Sequence, residues 1–554
     1  MKILLLTIAL IAVPFASFCQ APVDADLVVA GGPVHTMDAS APRAQAVAVR
    51  DGKIIYVGDE EGAKRFVGAS TRWIDAAGGA ILPGLVDAHG HLGNLGESLM
   101  ILKLVGTRSR AEVVAMVRKA QENAQRDEWI RGRGWDQKDW DAQVFPSADD
   151  LAGMNANPLY LKRVDGHAVW VNRRALEIAG ITADTPDPPG GRIIRDTQGN
   201  PTGVLIDQAK DLVSVHIPSP TDQQLDERIR VAIRQCNSVG LTGVHEAGTS
   251  ARMLASMRRI AREGGLTLRV YTMLDSDSTD LMDAALDAGP VVQAGGYLTI
   301  RAFKVYADGA LGSRGAALLA PYDDEPDNSG LMITEEDAMR AFAERAVASG
   351  FQMCVHAIGD RGNRVALDVY EAVTREHPGD HRFRIEHAQI VSVEDLARFA
   401  EIGVIPAMQP THCTSDMYWV ETRVGSERAT GAYAWRTLLD DGNVLAFGSD
   451  FPVEHTDPLW GIYAAVTRQD HEGWPDGGWY PAQRITVEEA VRAFTYGAAY
   501  AAFEENERGT ITVGKAADLT VLDRDIFGVD PPEILNTRAA YTIVGGAVVY
   551  ERAQ

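Results

Sequence analysis

Eight short apolar runs, each followed by a longer amphipathic stretch, fill the middle of the chain. They are Ile81–His89, Gly243–Ala247, Leu268–Leu274, Arg301–Ala307, Gln352–Ala357, Arg382–His387, Val404–Gln409 and Val444–Gly448. Short apolar runs bounded by turn residues read as strands, and strands alternating with helices build a parallel sheet. Eight is the number that closes a (β/α)8 TIM barrel, so the expected fold class is α/β with that barrel at its centre. The interval between the first two runs is far longer than an ordinary connection, which predicts a large insertion after the first strand, at about residues 95–235. Four tryptophans sit in it: Trp129, Trp135, Trp140 and Trp170. They read either as a surface for an aromatic substrate or as the insertion's own core.

The two ends of the chain are β-rich. Asp26–Gly31, Ala46–Arg50 and Lys53–Val57 near the start match Asp518–Leu522, Tyr541–Val544 and Ala547–Tyr550 near the end. Asp51-Gly52 between two such runs is a strong hairpin signal. Both termini are therefore expected to form one small β-sandwich, residues 22–82 plus 509–554, around a barrel domain of residues 83–508. The first 19 residues read differently. Lys2 precedes an apolar run, Ile3 to Val13, that Pro14 interrupts. A bilayer span needs about 20 apolar residues, so this shorter run reads as a signal peptide cleaved after Cys19. The protein is then expected to be exported, periplasmic or secreted, with a lipid anchor on Cys19 as the alternative. No later segment reads as a membrane span. The three remaining cysteines, Cys236, Cys354 and Cys413, are odd in number and far apart, unlike a disulfide framework. A net charge of −23 repels phosphate backbones and excludes nucleic acid as a natural partner. The expected partner is a small-molecule substrate.

Polar groups punctuate the ends of several of these runs. The first ends in His89-Gly90-His91, and residues two apart on a strand face the same side, so both imidazoles can grip one ion. The fifth ends at His356, the sixth at His387 and the eighth just before Asp450. Any one of these alone reads as easily as a packed or surface residue. Together they place four histidines and an aspartate at the barrel face where catalytic groups gather. Imidazole with carboxylate suits Zn²⁺, and also Fe, Co, Ni or Mn. Lys304, inside the fourth run, has two readings. It either extends outward past a helix, or it is carboxylated by CO2 to an oxygen-bearing bridge between cations. Cys354 shares a side with His356 and reads as barrel packing.

The ordered motifs resemble the amidohydrolase superfamily, and within it amidohydrolase family 3, the branch that holds YtcJ-like proteins and N-substituted formamide deformylases. The resemblance lies in Leu82–His91, Gly166–Asn172, Phe303–Ser313, His356–Asp360, Arg384–Ala388, Phe447–Val453 and Gly509–Leu519, and so covers essentially the whole mature chain. It implies a metal-dependent hydrolase of a non-peptide C–N bond, in which water activated on a divalent cation attacks. His89, His91 and Asp450 would hold one ion and His356 with His387 a second, bridged by carboxylated Lys304. Asp450 would also shuttle the proton from the attacking water to the leaving nitrogen. A homodimer is common in the family.

Other residues are candidates for substrate contact. His167, on a segment able to fold over the barrel mouth, is a candidate donor to the substrate carbonyl, or a histidine packed beside Trp170. His245 and His412, near the ends of the second and seventh strands, can line the pocket, as can Asp308, Arg314, Asp360 and Gln409. Alternative activities follow from the same residues. A single-metal heterocycle deaminase typically has a glutamate three residues after the fifth-strand histidine, where this chain has Gly359. An N-acyl-D-amino-acid deacylase needs a cation for the substrate carboxylate, for which Arg314 or Arg361 would serve. A degenerate, non-catalytic binding protein would have lost ligands that are all present here.

Overall fold

The computed structural model describes residues 24–294 and 296–553, so the expected signal segment and Cys19 lie outside the described residues. Eight parallel strands form the central sheet: Leu85–Gly90, Leu241–Thr249, Arg269–Asp275, Leu298–Tyr306, Gln352–Ala357, Arg384–His387, Ile405–Met408 and Ala446–Phe447. They are hydrogen-bonded in chain order. The seam between the last and the first closes just beyond the eighth strand. There Gly90 bridges Phe451 in parallel, the Asp450 amide donates to the His89 carbonyl at 2.7 Å, and the His91 amide donates to the Phe451 carbonyl at 2.9 Å. The expected barrel is thus present, and its closing hydrogen bonds carry three of the candidate site residues. Among the described residues no helix is long and apolar enough to cross a membrane.

The first apolar run divides between two sheets. Ile81–Pro83 pairs with Val34 on one side and Leu519–Val521 on the other, whereas Leu85–Gly90 enters the barrel. Gly84 is the joint. A Cβ there would stand 2.2 Å from Thr242 Oγ1, so only glycine lets the strands approach.

The terminal segments form a four-stranded and a six-stranded sheet, the second containing strands from both ends of the chain. Their facing residues, among them Leu27, Val47, Ile74, Ile81, Leu519 and Ile543, share one buried cluster. Asp51 and Gly52 both take positive φ (49° and 72°), the geometry of a type I′ hairpin, joining antiparallel strands. Arg269, at the start of the third barrel strand, clamps Asp518 of the terminal sheet with two hydrogen bonds, at 2.5 and 2.9 Å. Burial alone would raise the Asp518 pKa, but Arg269 outweighs it and holds the carboxyl below its usual value. A depressed folded pKa contributes stability above the unfolded value of about 3.9 and loses it as pH falls through the folded value. Asp518→Asn is therefore expected to be less stable near neutrality, with a flatter decline in stability on acidification below pH ~4, read by urea unfolding at each pH.

The insertion carries its own six-stranded sheet, running from Leu102–Lys103 to Pro201–Asp207 in sequence. Trp135, Trp140 and Trp170 pack against one another there, with ring centroids 5.9–6.3 Å apart. Trp135 and Trp170 satisfy their indole N–H groups on the carbonyls of Leu161 and Ser147. These three rings are the insertion's core rather than a substrate surface. The helix Asp222–Ser238, opened by a capping box on Thr221 and Gln224, packs with the barrel instead: Leu225, Ile229, Ile233 and Cys236 join the main core.

Candidate metal centre

Strand ends deliver the site. Because successive strands lie side by side and in parallel, residues at their C-terminal tips converge on one mouth. A cleft of about 790 Å³ opens there, and His89, His91, Lys304, His356, His387, His412 and Asp450 all line it. Donor atoms of His89, His91 and Asp450 lie within 4.8 Å of one another, and so do those of His387, His412 and Asp450. Asp450 belongs to both triads. His91 Nε2 is 2.9 Å from Asp450 Oδ1, and His412 Nε2 is 3.7 Å from Asp450 Oδ2. Lys304 Nζ stands 3.2 Å from His89 Nε2. The His356 and His387 rings are 4.5 Å apart.

Three of these atoms answer whether a cation fits. His356 Nε2, His412 Nε2 and Asp450 Oδ1 are buried without a hydrogen-bond partner among the described residues. Buried polar atoms left unpaired normally cost 1–3 kcal/mol each. The His356 imidazole and the Asp450 carboxylate, converging on one space, are good ligands that a divalent cation would satisfy, while His412 Nε2 is left to meet a bound molecule. Protonation supports the same reading. Burial, then the Lys304 charge, holds His89 well below the usual imidazole range and brings His356 down to about 3. Burial and the neighbouring His356 do the same to His387. These three imidazoles are therefore held neutral with free lone pairs, whereas the Asp450 carboxylate overcomes burial and raises the pKa of His91. For Asp450, burial opposes ionisation, but the hydrogen-bonding approach of His91 and the surrounding imidazoles outweigh it and hold the carboxyl low.

Surrounding groups fix the orientation of these rings. Glu386 Oε2 takes the Nδ1 side of His89 at 2.5 Å, and Gln409 Oε1 takes the Nδ1 side of His387 at 2.8 Å. In both rings Nε2 is left to face the cleft. Glu386 is itself paired with Arg384 at 2.8 Å, both fully buried. Arg384 also donates to the Ala88 carbonyl and approaches His245 Nδ1 at 2.9 Å. Asp87 accepts from the Ser449 hydroxyl at 2.6 Å and from its amide, pinning the eighth strand end to the first. His387, Ala388 and Asp450 adopt positive φ (74°, 42° and 60°), a strained backbone that concentrates at functional sites.

Several sequence candidates fall elsewhere. His167 does not line the cleft: it is mostly exposed, 74% at the side chain, and bound to Asp207 at 2.7 Å. His245 lies buried beneath the site against Arg384, facing the other end of the barrel. Asp308 accepts the backbone amides of Ala317, Ile358 and Gly359, so its oxygens hold a loop rather than a substrate. Asp360 does likewise with the Leu319 amide at 2.8 Å. Arg314 is engaged by Asp324 and Glu325. Gln409 acts through His387, and of the six proposed substrate contacts only His412 reaches the cleft wall. Glu386 and Arg384 went unnoticed in the sequence. Strand alternation sends Glu386 and His387 to opposite sides, yet Glu386 reaches His89 and His387 lines the cleft, with His387 in a left-handed φ of 74°.

The comparisons with known proteins agree with this geometry. Residues 72–550 match the amidohydrolase family. The putative amidohydrolase YtcJ of Bacillus subtilis is 33% identical over 534 residues, covering 94% of this chain and 99% of its own length. An N-substituted formamide deformylase of Arthrobacter pascens is 28% identical over 547 residues, 95% of this chain and 98% of its own. The crystal structure of an uncharacterised metal-dependent hydrolase from Pyrococcus furiosus superposes with a TM-score of 0.75 at 29% identity, covering 91% of this chain and 99% of that one. The chain belongs to the amidohydrolase family, and it is a metal-dependent hydrolase acting on carbon–nitrogen bonds.

Proposed function

We propose that the protein hydrolyses an amide-type C–N bond of a small molecule, with Asp450 as the proton shuttle. The observation that carries this is the position of Asp450, shared by both donor triads at the floor of one cleft. His89, His91 and Asp450 would hold one Zn²⁺, and His356 with His387 a second. A divalent cation bound there supplies a Lewis acid and lowers the pKa of a coordinated water from 15.7 to about 7. Lys304 is proposed to carry a carboxyl group bridging the two positions. Burial lowers its ammonium pKa, and carbamate formation requires the neutral amine.

The protein's own groups then divide the work. Asp450, kept ionised, accepts a proton at the carboxylate and returns it to the nitrogen as the C–N bond breaks, so that an amine leaves instead of an amide anion. His412 takes the part first sought for His167, donating from Nε2 to the substrate carbonyl oxygen as charge grows there. His412→Ala is expected to lower kcat about 10²–10³-fold, the usual effect of losing one such donor, with bound metal by elemental analysis unchanged. A loss of metal in parallel with turnover would make His412 a ligand instead.

The deformylase relative puts N-substituted formamides first among substrates to try. The test is a hydrolysis screen of metal-reconstituted protein with formamides, N-acyl amino acids, cyclic amides and heterocyclic amines. Release of a primary amine with a carboxylate is the expected result. Release of ammonia from a heterocyclic amine alone would assign the deaminase reaction in its place.

A further inference from the structure

A second chamber, about 530 Å³, opens beside the catalytic cleft beneath the inserted sheet. Asn94, Arg133 and Pro452 line both spaces, so the two are continuous. The roof is a pair of parallel strands, Ile130–Trp135 and Leu159–Arg163, in register Arg131 with Tyr160 and Arg133 with Lys162. Alternation buries Ile130, Leu159 and Leu161 in the tryptophan core and turns the long cationic side chains to the other face. In a chain of net charge −23, that face gathers Arg131, Arg133 and Lys162, with Arg228 contributed by a barrel helix. Arg131 and Arg228 share the one carboxylate, Glu97. Arg133 and Lys162 form no ion pair among the described residues. They stand as registered neighbours, an arrangement of like charges that destabilises a sheet. Both side chains remain exposed to solvent, and desolvation, then the Arg133 guanidinium beside it, pushes the Lys162 ammonium down.

We infer that this chamber binds a carboxylate on the substrate, remote from the bond that is cut, with Arg133 and Lys162 as its counter-charges. The inference rests on the amide-hydrolase reading of the adjoining cleft and narrows its substrates to carboxylate-bearing amides. Arg133, at the junction, faces both the reacting end and the anionic end. Ile101 and Tyr160 add an apolar wall for the linking part of the molecule. Of the two cations the sequence offered for such a role, Arg314 and Arg361, Arg314 is already neutralised by Asp324.

The test compares two non-hydrolysable probes, N-methylsulfonyl-phenylalanine and its carboxamide, by calorimetry on the metal-loaded full chain. The acid is expected to bind about tenfold more tightly than the amide, through charge-assisted hydrogen bonds. The preference should shrink with added salt and disappear in the Arg133→Gln/Lys162→Gln double variant. Equal affinities in the parent, a preference retained by the double variant, or no binding of either probe would overturn the inference. Cleavage of N-formyl-phenylalanine and of its carboxamide is scored separately. If the acid probe is preferred but neither formyl compound is cleaved, the hydrolytic reading fails while the anion site stands.

Discussion

Asp450→Asn is expected to fold as the parent does and to lose turnover by about 10²–10⁴-fold, the range that positioned proton transfer commonly supplies. The amide is nearly isosteric with the carboxylate. The backbone bond from residue 450 to the His89 carbonyl, which closes the barrel seam, does not depend on the side chain. Stability should therefore change little. Three consequences of the carboxylate vanish together: the negative charge beside His91 and His412, the proton acceptor, and one oxygen donor shared by both triads. Steady-state kinetics with the best substrate from the screen, alongside thermal unfolding, reads both parts. Retained turnover with an intact fold would remove Asp450 from the proton path.

The second large effect lies beneath the cleft. Arg384 and Glu386 form an ion pair with no exposed surface, and Glu386 in turn grips His89. Removing one member of such a pair leaves an uncompensated buried charge and costs about 3–5 kcal/mol. Arg384→Met is expected to destabilise by that amount, because methionine replaces the stem but not the charge. Glu386→Gln removes the other member of the pair and is expected to carry a similar stability cost, so its effect on function is read as the metal affinity of the protein that remains folded. It keeps the shape around His89 while replacing the carboxylate that orders that ring, and losing such a support typically weakens metal binding 10–100-fold. A metal titration of this variant with unchanged affinity would mean that Glu386 serves packing alone.

Much of the barrel was legible because a buried parallel strand needs a continuous apolar run, and eight such runs with long spacers leave few alternatives. Where one run served two sheets, as at Ile81–Pro83 and Leu85–Gly90, hydrophobicity had no means of marking the division. Gly84 was the only local sign. In the site, His89 and His91 were readable from strand alternation. His356, His387 and Asp450 were readable from their places at strand tips. His167 misled because its segment was expected to fold over the barrel mouth, while its partner, Asp207, is forty residues away and paired through the inserted sheet. Asp308 and Asp360 misled for a related reason. Carboxylates near strand ends also cap backbone amides, and sequence does not reveal which amides are left bare. Arg133 escaped notice entirely, since its meaning comes from registry with Lys162 and from lying over the barrel mouth.

The most direct measurement is metal content set against activity. Protein dialysed against a strong chelator should lose its hydrolytic turnover, regain it with Zn²⁺, and hold at most two ions per chain by elemental analysis when active. His89→Ala should diminish both quantities together. A thoroughly metal-free protein that still hydrolyses its substrate at full rate would contradict the account: the convergence of five distant strand-tip side chains would then have no part in the chemistry.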